Sequence, residues 1–236
     1  MDYDFGRVHI DITGKCNLRC IHCFASEKYK DHLTTEDVLK IMAEVKSLGI
    51  ERATISGGEP FLRDDLFEIL EEAPKDISIL TNATILTDQH IDKLLKLDEK
   101  GKFIDMRISL DGVDSYQKVR GISPKYAMNN IHKLLERDFV VVINTTMMPF
   151  QKKEELLELY EMLLELGVDQ WSLDIPFLAG SAKENNLRTD VKEYADTVVE
   201  VAKRHAENKP SMILKLSSST MGLLTTPLML LSNFLI

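Results

Sequence analysis

The chain has 236 residues, 44% of them hydrophobic and 28% charged, enough to bury the core of one large α/β domain or at most two small ones. Its formal net charge of −9 argues against broad electrostatic binding to nucleic acid or to an anionic membrane surface. It opens MDYDFGRVHID, without the cationic, apolar and small-residue succession of a secretory leader, so a cytoplasmic location is expected.

Short apolar runs alternate with amphipathic stretches. VHIDIT (8–13) reads as a strand with Val8, Ile10 and Ile12 on one face. A helix follows from about Thr35, with cap chemistry in Thr34-Thr35-Glu36-Asp37 and apolar positions at Val38, Ile41, Met42 and Val45; it stops at Gly49. The unit then recurs: strand RATISG (52–57) with a helix at roughly 64–73, and strand DISILTN (76–82) with a helix from Thr87-Asp88. Strand FIDMRISLDG (103–112) precedes a helix from about Pro124 to Glu136, and strand FVVVINTTM (139–147) precedes QKKEELLELYEMLLELG (151–167), the clearest helix in the chain. Strand WSLDIPF (171–177) is followed by a helix from about Val191 to Ala206. Strands rich in Ile and Val between helices of this length predict an α/β fold with a parallel sheet. Six such units predict a partial (β/α)6 TIM-like barrel, an open relative of the closed eight-unit one.

No linker interrupts the chain before about residue 208, so a core domain is expected over 1–207 and a distinct tail over 208–236. Lys215 is the last charged residue, and LSSSTMGLLTTPLMLLSNFLI (216–236) runs 21 residues without another. Its Ser and Thr residues, Pro227 and Asn233 make it a poor membrane span. A buried terminal segment or an altered, truncated end is expected there.

All three cysteines fall in GKCNLRCIHCF (14–24), as the C-x3-C-x2-C pattern of Cys16, Cys20 and Cys23. An odd count cannot complete a disulfide framework, and thiols that bind metal suit a reducing compartment. One reading is a zinc site completed by His22 or a distant ligand, although structural zinc sites usually pair two C-x2-C knuckles and no second knuckle is present. The other is an iron–sulfur cluster: a four-iron cluster normally takes four thiolates, so three leave one iron open for substrate chemistry. The loop directly follows the first strand, at the strand C-terminal end where barrels keep their active sites.

CNLRCIHC, followed by SGGEP (56–60) at the end of the second strand, resembles the signature of the radical S-adenosylmethionine (radical SAM) enzymes. SLDG (109–112), VRG (119–121) and WSLDIPFLAGSAKEN (171–185) are most like the branch of that family that modifies peptides and builds cofactors, the SPASM type. The likeness covers about residues 8 to 207. It implies a [4Fe-4S] cluster on Cys16, Cys20 and Cys23 whose open iron chelates S-adenosyl-L-methionine (SAM). One electron, from a donor such as a ferredoxin or flavodoxin, would cleave SAM to a 5′-deoxyadenosyl radical. That radical would abstract hydrogen from a peptide or small-molecule substrate, a peptide or cofactor precursor. No nucleic-acid partner and no membrane span are expected.

The resemblance also implies roles for single residues. Gly57, Gly58, Glu59 and Pro60 would meet the SAM amino group, and their lack of Cβ atoms would let Gly57 and Gly58 bring backbone close to a ligand. Ser109 would meet its methionyl or ribose groups, and His22 would stack on, or touch by its backbone, the adenine. Arg120 would take a carboxylate with its forked guanidinium, unless it is simply an exposed arginine. Asn82, next to Thr81, and Asn144 end strands facing the expected cavity and serve equally well as caps. Asp111 would close a turn with Gly112, Gly180 would pass the adenine or sit in a loop, and Met147, Met148 and Phe177 would be core or cavity wall. No residue can be assigned as a catalytic acid or base. The branch commonly carries a cysteine-rich C-terminal extension, which this chain lacks after Cys23. Two alternatives stand beside the enzyme reading: a non-enzymatic zinc- or iron–sulfur-binding module, and a cyclising enzyme of the molybdopterin-pathway type, which the missing cysteines disfavour.

Overall fold

The computed structural model describes residues 6–25 and 33–216. In chain order these form β1 (Val8–Thr13), α1 (Thr35–Ser47), β2 (Arg52–Gly57), α2 (Leu66–Glu72), β3 (Asp76–Thr81), α3 (Asp88–Glu99) and β4 (Phe103–Ser109). There follow α4 (Tyr116–Arg120), α5 (Lys125–Leu135), β5 (Val140–Thr146), α6 (Lys153–Leu166), β6 (Gln170–Asp174), α7 (Gly180–Glu184), α8 (Val191–Asn208) and β7 (Ile213–Leu216). The chain divides into two compact units. The first takes in the described residues up to Leu18, those from Leu33 to Ser109, and Lys125–Val141; the second takes in the rest.

In the first unit β1 to β4 lie in chain order, each parallel to the next. The register puts Ile10 beside Ile55, Ile55 beside Ile79 and Ile79 beside Met106, and this row is buried. The helices add their own apolar stripes, among them Val38 and Met42 of α1, Ile69 and Leu70 of α2, Leu94 of α3 and Ile131 of α5. Each such side chain contributes about 1.5–3 kcal/mol by leaving water. The alternate strand positions are polar: His9 pairs with Thr54, Thr54 with Ser78, and Ser78 with Asp105. Thr54, Ser78 and Asp105 are themselves buried, so these strands are covered on both faces, one apolar and one polar. Thr34 caps α1 in a capping box with Asp37, and Thr87 caps α3 with His90 in the Glu position of that motif.

In the second unit β5, β6 and β7 are parallel in that order. Trp171 of β6 is fully buried, with its ring 5.9 Å from that of Tyr160 on α6. Its indole N–H donates to Thr145 Oγ1 (2.9 Å), and that hydroxyl donates onward to the Leu110 carbonyl (2.6 Å). The Tyr194 hydroxyl donates to the Leu173 carbonyl (3.1 Å), which ties α8 to β6. Large aromatic bodies thus fill this core while their polar atoms stay paired.

The strand-and-helix alternation holds throughout. β6 ends at Asp174 rather than running to Phe177, because the Asp174 carboxylate turns back on the Ile175 N–H (2.8 Å) and Pro176 has none to offer a ladder. The short helices α4 and α7, and a 3-10 turn at Pro60–Leu62 ahead of α2, are too brief for periodicity to reveal. β7 is a further strand, pairing with β6 beyond the expected boundary near residue 208. The expectations for the uncharged terminal run fall, after Leu216, outside the described residues. Among the described residues no helix is long and apolar enough to cross a membrane.

Candidate functional site

In the first unit the end of β2 is clasped to the chain that leads into Cys16. Gly58 N–H donates to the Thr13 carbonyl (2.7 Å) and Glu59 N–H to the Lys15 carbonyl (2.8 Å). A Cβ on Gly57, whose φ is +138°, would collide with the Thr13 backbone, and one on Gly58 would strike the Lys15 carbonyl. The close approach that these glycines permit is therefore to the root of the cysteine loop. Glu59 is completely buried. Its Oε1 accepts from Thr81 Oγ1 (2.8 Å) and Phe61 N–H (3.2 Å), and its Oε2 from Asn82 N–H (2.8 Å), so the carboxylate joins β2 to β3. Pro60 opens the 3-10 turn, where no backbone donor is needed.

The Asn82 side chain donates to Asn17 Oδ1 (3.0 Å) and accepts from Thr84 N–H (2.9 Å), while Asn17 Nδ2 donates to Thr84 Oγ1 (2.9 Å). Asn17 lies within the cysteine motif, so the loop is held from β3 as well as from β2. Asn130 of α5 donates to the Ala83 and Leu86 carbonyls (2.7 and 3.1 Å), bracing a turn in which Ala83 takes a φ of +56°. Cys16 Sγ accepts the Leu18 N–H (3.4 Å). Ser109 closes β4, half-buried and one position beyond the Thr81–Ile108 pair, level with Asn82.

In the second unit the segment from Cys20 to Phe24 is held by its backbone. Ile21 N–H donates to the Val119 carbonyl of α4 (3.0 Å), Ser181 N–H of α7 to the Cys23 carbonyl (2.8 Å), and Asn185 Nδ2 to the Ile21 carbonyl (3.0 Å). Val119, Met148, Ala182 and Leu187 form a small buried cluster against which Ile21 and Phe150 pack. Gly180 has φ +48°, and a Cβ there would meet the Phe24 and Cys23 backbone. Its lack of a side chain lets α7 lie directly on the cysteine loop.

Arg120, at the end of α4, is buried, which corrects the exposed-arginine alternative. Its Nε and Nη2 both lie 2.7 Å from Asp111 Oδ2, and Nη1 lies 3.8 Å from Cys20 Sγ. Burial works against the guanidinium charge, but Asp111, Cys20 and Tyr116 outweigh it and hold the arginine more firmly protonated than usual. Asp111 is fully buried, its Oδ1 accepting from Thr146 N–H (3.0 Å) and its carbonyl from Gln151 Nε2. His22 is largely buried, with Nε2 3.8 Å from Asp111 Oδ2. The Asn144 carbonyl accepts Leu110 N–H (3.0 Å). Met147 and Met148 are core as expected, but Phe177, expected in core or cavity wall, is 74% exposed because β6 ends before it.

The structure therefore gathers Gly57, Gly58, Glu59, Pro60 and Asn82 around the root of Cys16, and Arg120 and His22 around Asp111 beside Cys20. Asn17, Asp111, Ser181 and Asn185 are the partners that sequence reasoning missed or undervalued. For Asn17 a signal existed in its place between two cysteines; for Ser181 and Asn185 the contact joins residues far apart in the chain, and the nine positions between Asp111 and Arg120 match no helix or strand period. Among the described residues no three His, Cys, Asp or Glu side chains are gathered as one metal ion requires. A four-iron cluster makes a different demand, binding each thiolate through a separate iron. Three thiols within one braced loop, with a cation beside Cys20, suit that demand chemically.

Comparison with known proteins identifies the family and the fold. The family model described as "Radical SAM superfamily" matches residues 10–163. A GTP 3′,8-cyclase from Clostridium perfringens is 30% identical over 179 residues, covering 69% of this chain and 53% of the relative. An AdoMet-dependent heme synthase from Methanosarcina barkeri is 31% identical over 167 residues, covering 66% and 46%. The chain thus spans about half the length of the curated relatives it matches. In fold it is similar to SuiB of Streptococcus suis, solved bound to its precursor peptide SuiA, with a TM-score of 0.78 over 90% of this chain and 49% of SuiB at 21% identity. The fold is the parallel α/β, partial-barrel type of that neighbour. The chain belongs to the radical SAM superfamily.

Proposed function

We propose that this chain is the core of an enzyme in which Cys16, Cys20 and Cys23 hold a [4Fe-4S] cluster and the open iron takes SAM. Bound there, cluster and SAM supply one-electron cleavage of SAM and abstraction of hydrogen from a substrate. The observation that carries the reading is the clasp between GGEP and the loop root, Gly58 to Thr13 and Glu59 to Lys15. It couples the two motifs that the family uses together, through backbone bonds that need glycine at both positions. Asn82 and Asn17 brace the loop from β3, while α4 and α7 fix the Cys20–Cys23 segment by its carbonyls and amides. Of the residues named for SAM itself, Gly57 and Ser109 end β2 and β4, Gly58, Glu59, Pro60 and Asn82 directly follow strand ends, His22 lies between Cys20 and Cys23, and Asn144, expected to end a strand, lies inside β5, two positions before its end. Of these, Glu59 and Asn82 spend their side chains on the protein. An external one-electron donor of the ferredoxin or flavodoxin kind completes the reaction, and thiolate ligation calls for a reducing compartment.

A peptide or a cofactor precursor is the substrate class that we favour, on the likeness to SuiB and the heme synthase. A cyclising reaction on a nucleotide is the second reading, because several relatives of about 30% identity bear the name GTP 3′,8-cyclase. That finding gives it more weight than the cysteine count alone allowed.

Anaerobic reconstitution with iron and sulfide, then dithionite and SAM, tests the proposal. About four irons per chain and release of 5′-deoxyadenosine are expected, both lost on replacing any of the three cysteines by alanine. One tightly held zinc with no SAM cleavage would reject it in favour of a binding module. Adding GTP to the same mixture separates the two substrate readings.

A further inference from the structure

We propose that Arg120 acts on the cluster through Cys20 Sγ, favouring the reduced cluster, and that Asp111 sets how far. The proposal rests on the reading of Cys20 as a cluster ligand. The guanidinium fork is already filled by the chain itself: Nε and Nη2 engage Asp111, which leaves Nη1 directed at the thiol 3.8 Å away. That differs from the role implied by resemblance, in which the fork takes a carboxylate from outside. The Arg120 side chain is 7% exposed and that of Asp111 0%, so the pair is little screened by solvent or salt. Both groups are pinned, Asp111 by Thr146 N–H and Gln151, Arg120 by its place on α4. The same helix offers the Val119 carbonyl to Ile21, so charge and loop share one support.

One-electron reduction adds negative charge to the cluster and its thiolates. A fixed donor carrying positive charge beside one ligand sulfur stabilises the reduced form more than the oxidised one, and hydrogen bonds to sulfur are among the terms that set such potentials. The Asp111 carboxylate, held on the Nε–Nη2 edge of the guanidinium while Nη1 meets the sulfur, opposes this, so removing either partner should move the potential, in opposite directions.

The test is the midpoint potential of the reconstituted protein without SAM, followed by electron paramagnetic resonance during anaerobic titration. Arg120→Gln is expected to lower the equilibrium constant for reduction about tenfold, which is about 59 mV for one electron. Asp111→Asn, which leaves the arginine uncompensated, is expected to raise it, and Arg120→Lys to fall between Arg120→Gln and the wild type. Arg120→Gln carrying four irons with a constant within twofold of wild type overturns the proposal, as does a shift of both variants in the same direction. Where a single variant does not fold, the double variant R120M/D111L replaces the buried pair with apolar side chains, an exchange that folded proteins tolerate. Loss of the charge that meets the sulfur should still lower its potential, and an unchanged value overturns the proposal. If the wild type assembles no four-iron cluster, it is the proposed function that fails.

Discussion

Glu59→Gln separates a residue that holds the fold from one that holds a ligand. The buried Glu59 carboxylate accepts Phe61 N–H and Thr81 Oγ1 on Oε1 and Asn82 N–H on Oε2. The amide of glutamine turns one acceptor into a donor. With its nitrogen in the Oε1 position the Phe61 N–H loses its partner; in the Oε2 position the Asn82 N–H does. Either way one buried backbone donor is orphaned, at about 1–3 kcal/mol. The bonds that survive weaken from charge-assisted to neutral, and the total is about 3 kcal/mol. For a chain of this size that lowers the melting temperature by about 6–12 °C. The measurement is thermal melting of the cluster-free protein, with a guanidinium midpoint at unchanged slope as a second reading. A melting temperature within about 2 °C of wild type, together with lost SAM binding, would refute the argument and make Glu59 a ligand contact only.

Gly180→Ala should cost stability and cluster together, because the new Cβ meets the Cys23 and Phe24 backbone; Gly167→Ala, with the same left-handed φ but open space around it, is the control. Both lose about 1–2 kcal/mol in calorimetry from conformational strain, but only Gly180→Ala should lower iron per chain after reconstitution, and equal loading in the two variants would count against the packing of α7 on the loop. Asp65 supplies a pH signature: hydrogen bonds from Arg63, and then Thr35, hold its carboxyl down at about 2. Its folded-state value lies below the unfolded one, so the stabilisation, about 2 kcal/mol, is present above pH 4 and disappears as the pH falls from about 4 to about 2. The gap in unfolding free energy between wild type and Asp65→Asn should close over that window in urea titrations, and a gap independent of pH would contradict the assignment.

Periodicity, caps and cysteine spacing are local properties, and they are where the sequence speaks plainly. The caps at Thr34 and Thr87, the apolar stripe of α6 and the parallel alternation follow from residues within a few positions of each other. Three thiols in eight residues, with GGEP closing the second strand, mark the family. The short helices α4 and α7 escape because five residues give no period to read. Phe177 was misplaced because a strand's end depends on Asp174 turning onto its neighbour, which apolar patterning does not register. The purposes of single residues lie further still from local pattern. Gly57 and Gly58 are explained by Thr13 and Lys15, more than forty positions earlier, and Glu59 by Thr81 and Asn82, more than twenty positions later. Arg120 is explained by Asp111 and by Cys20, a hundred residues away. The sequence by itself determined the class of fold and the family, because these rest on short-range spacing. Only the tertiary structure decided which buried charges support the loop, because a carboxylate or guanidinium takes its role from whichever partner desolvates beside it.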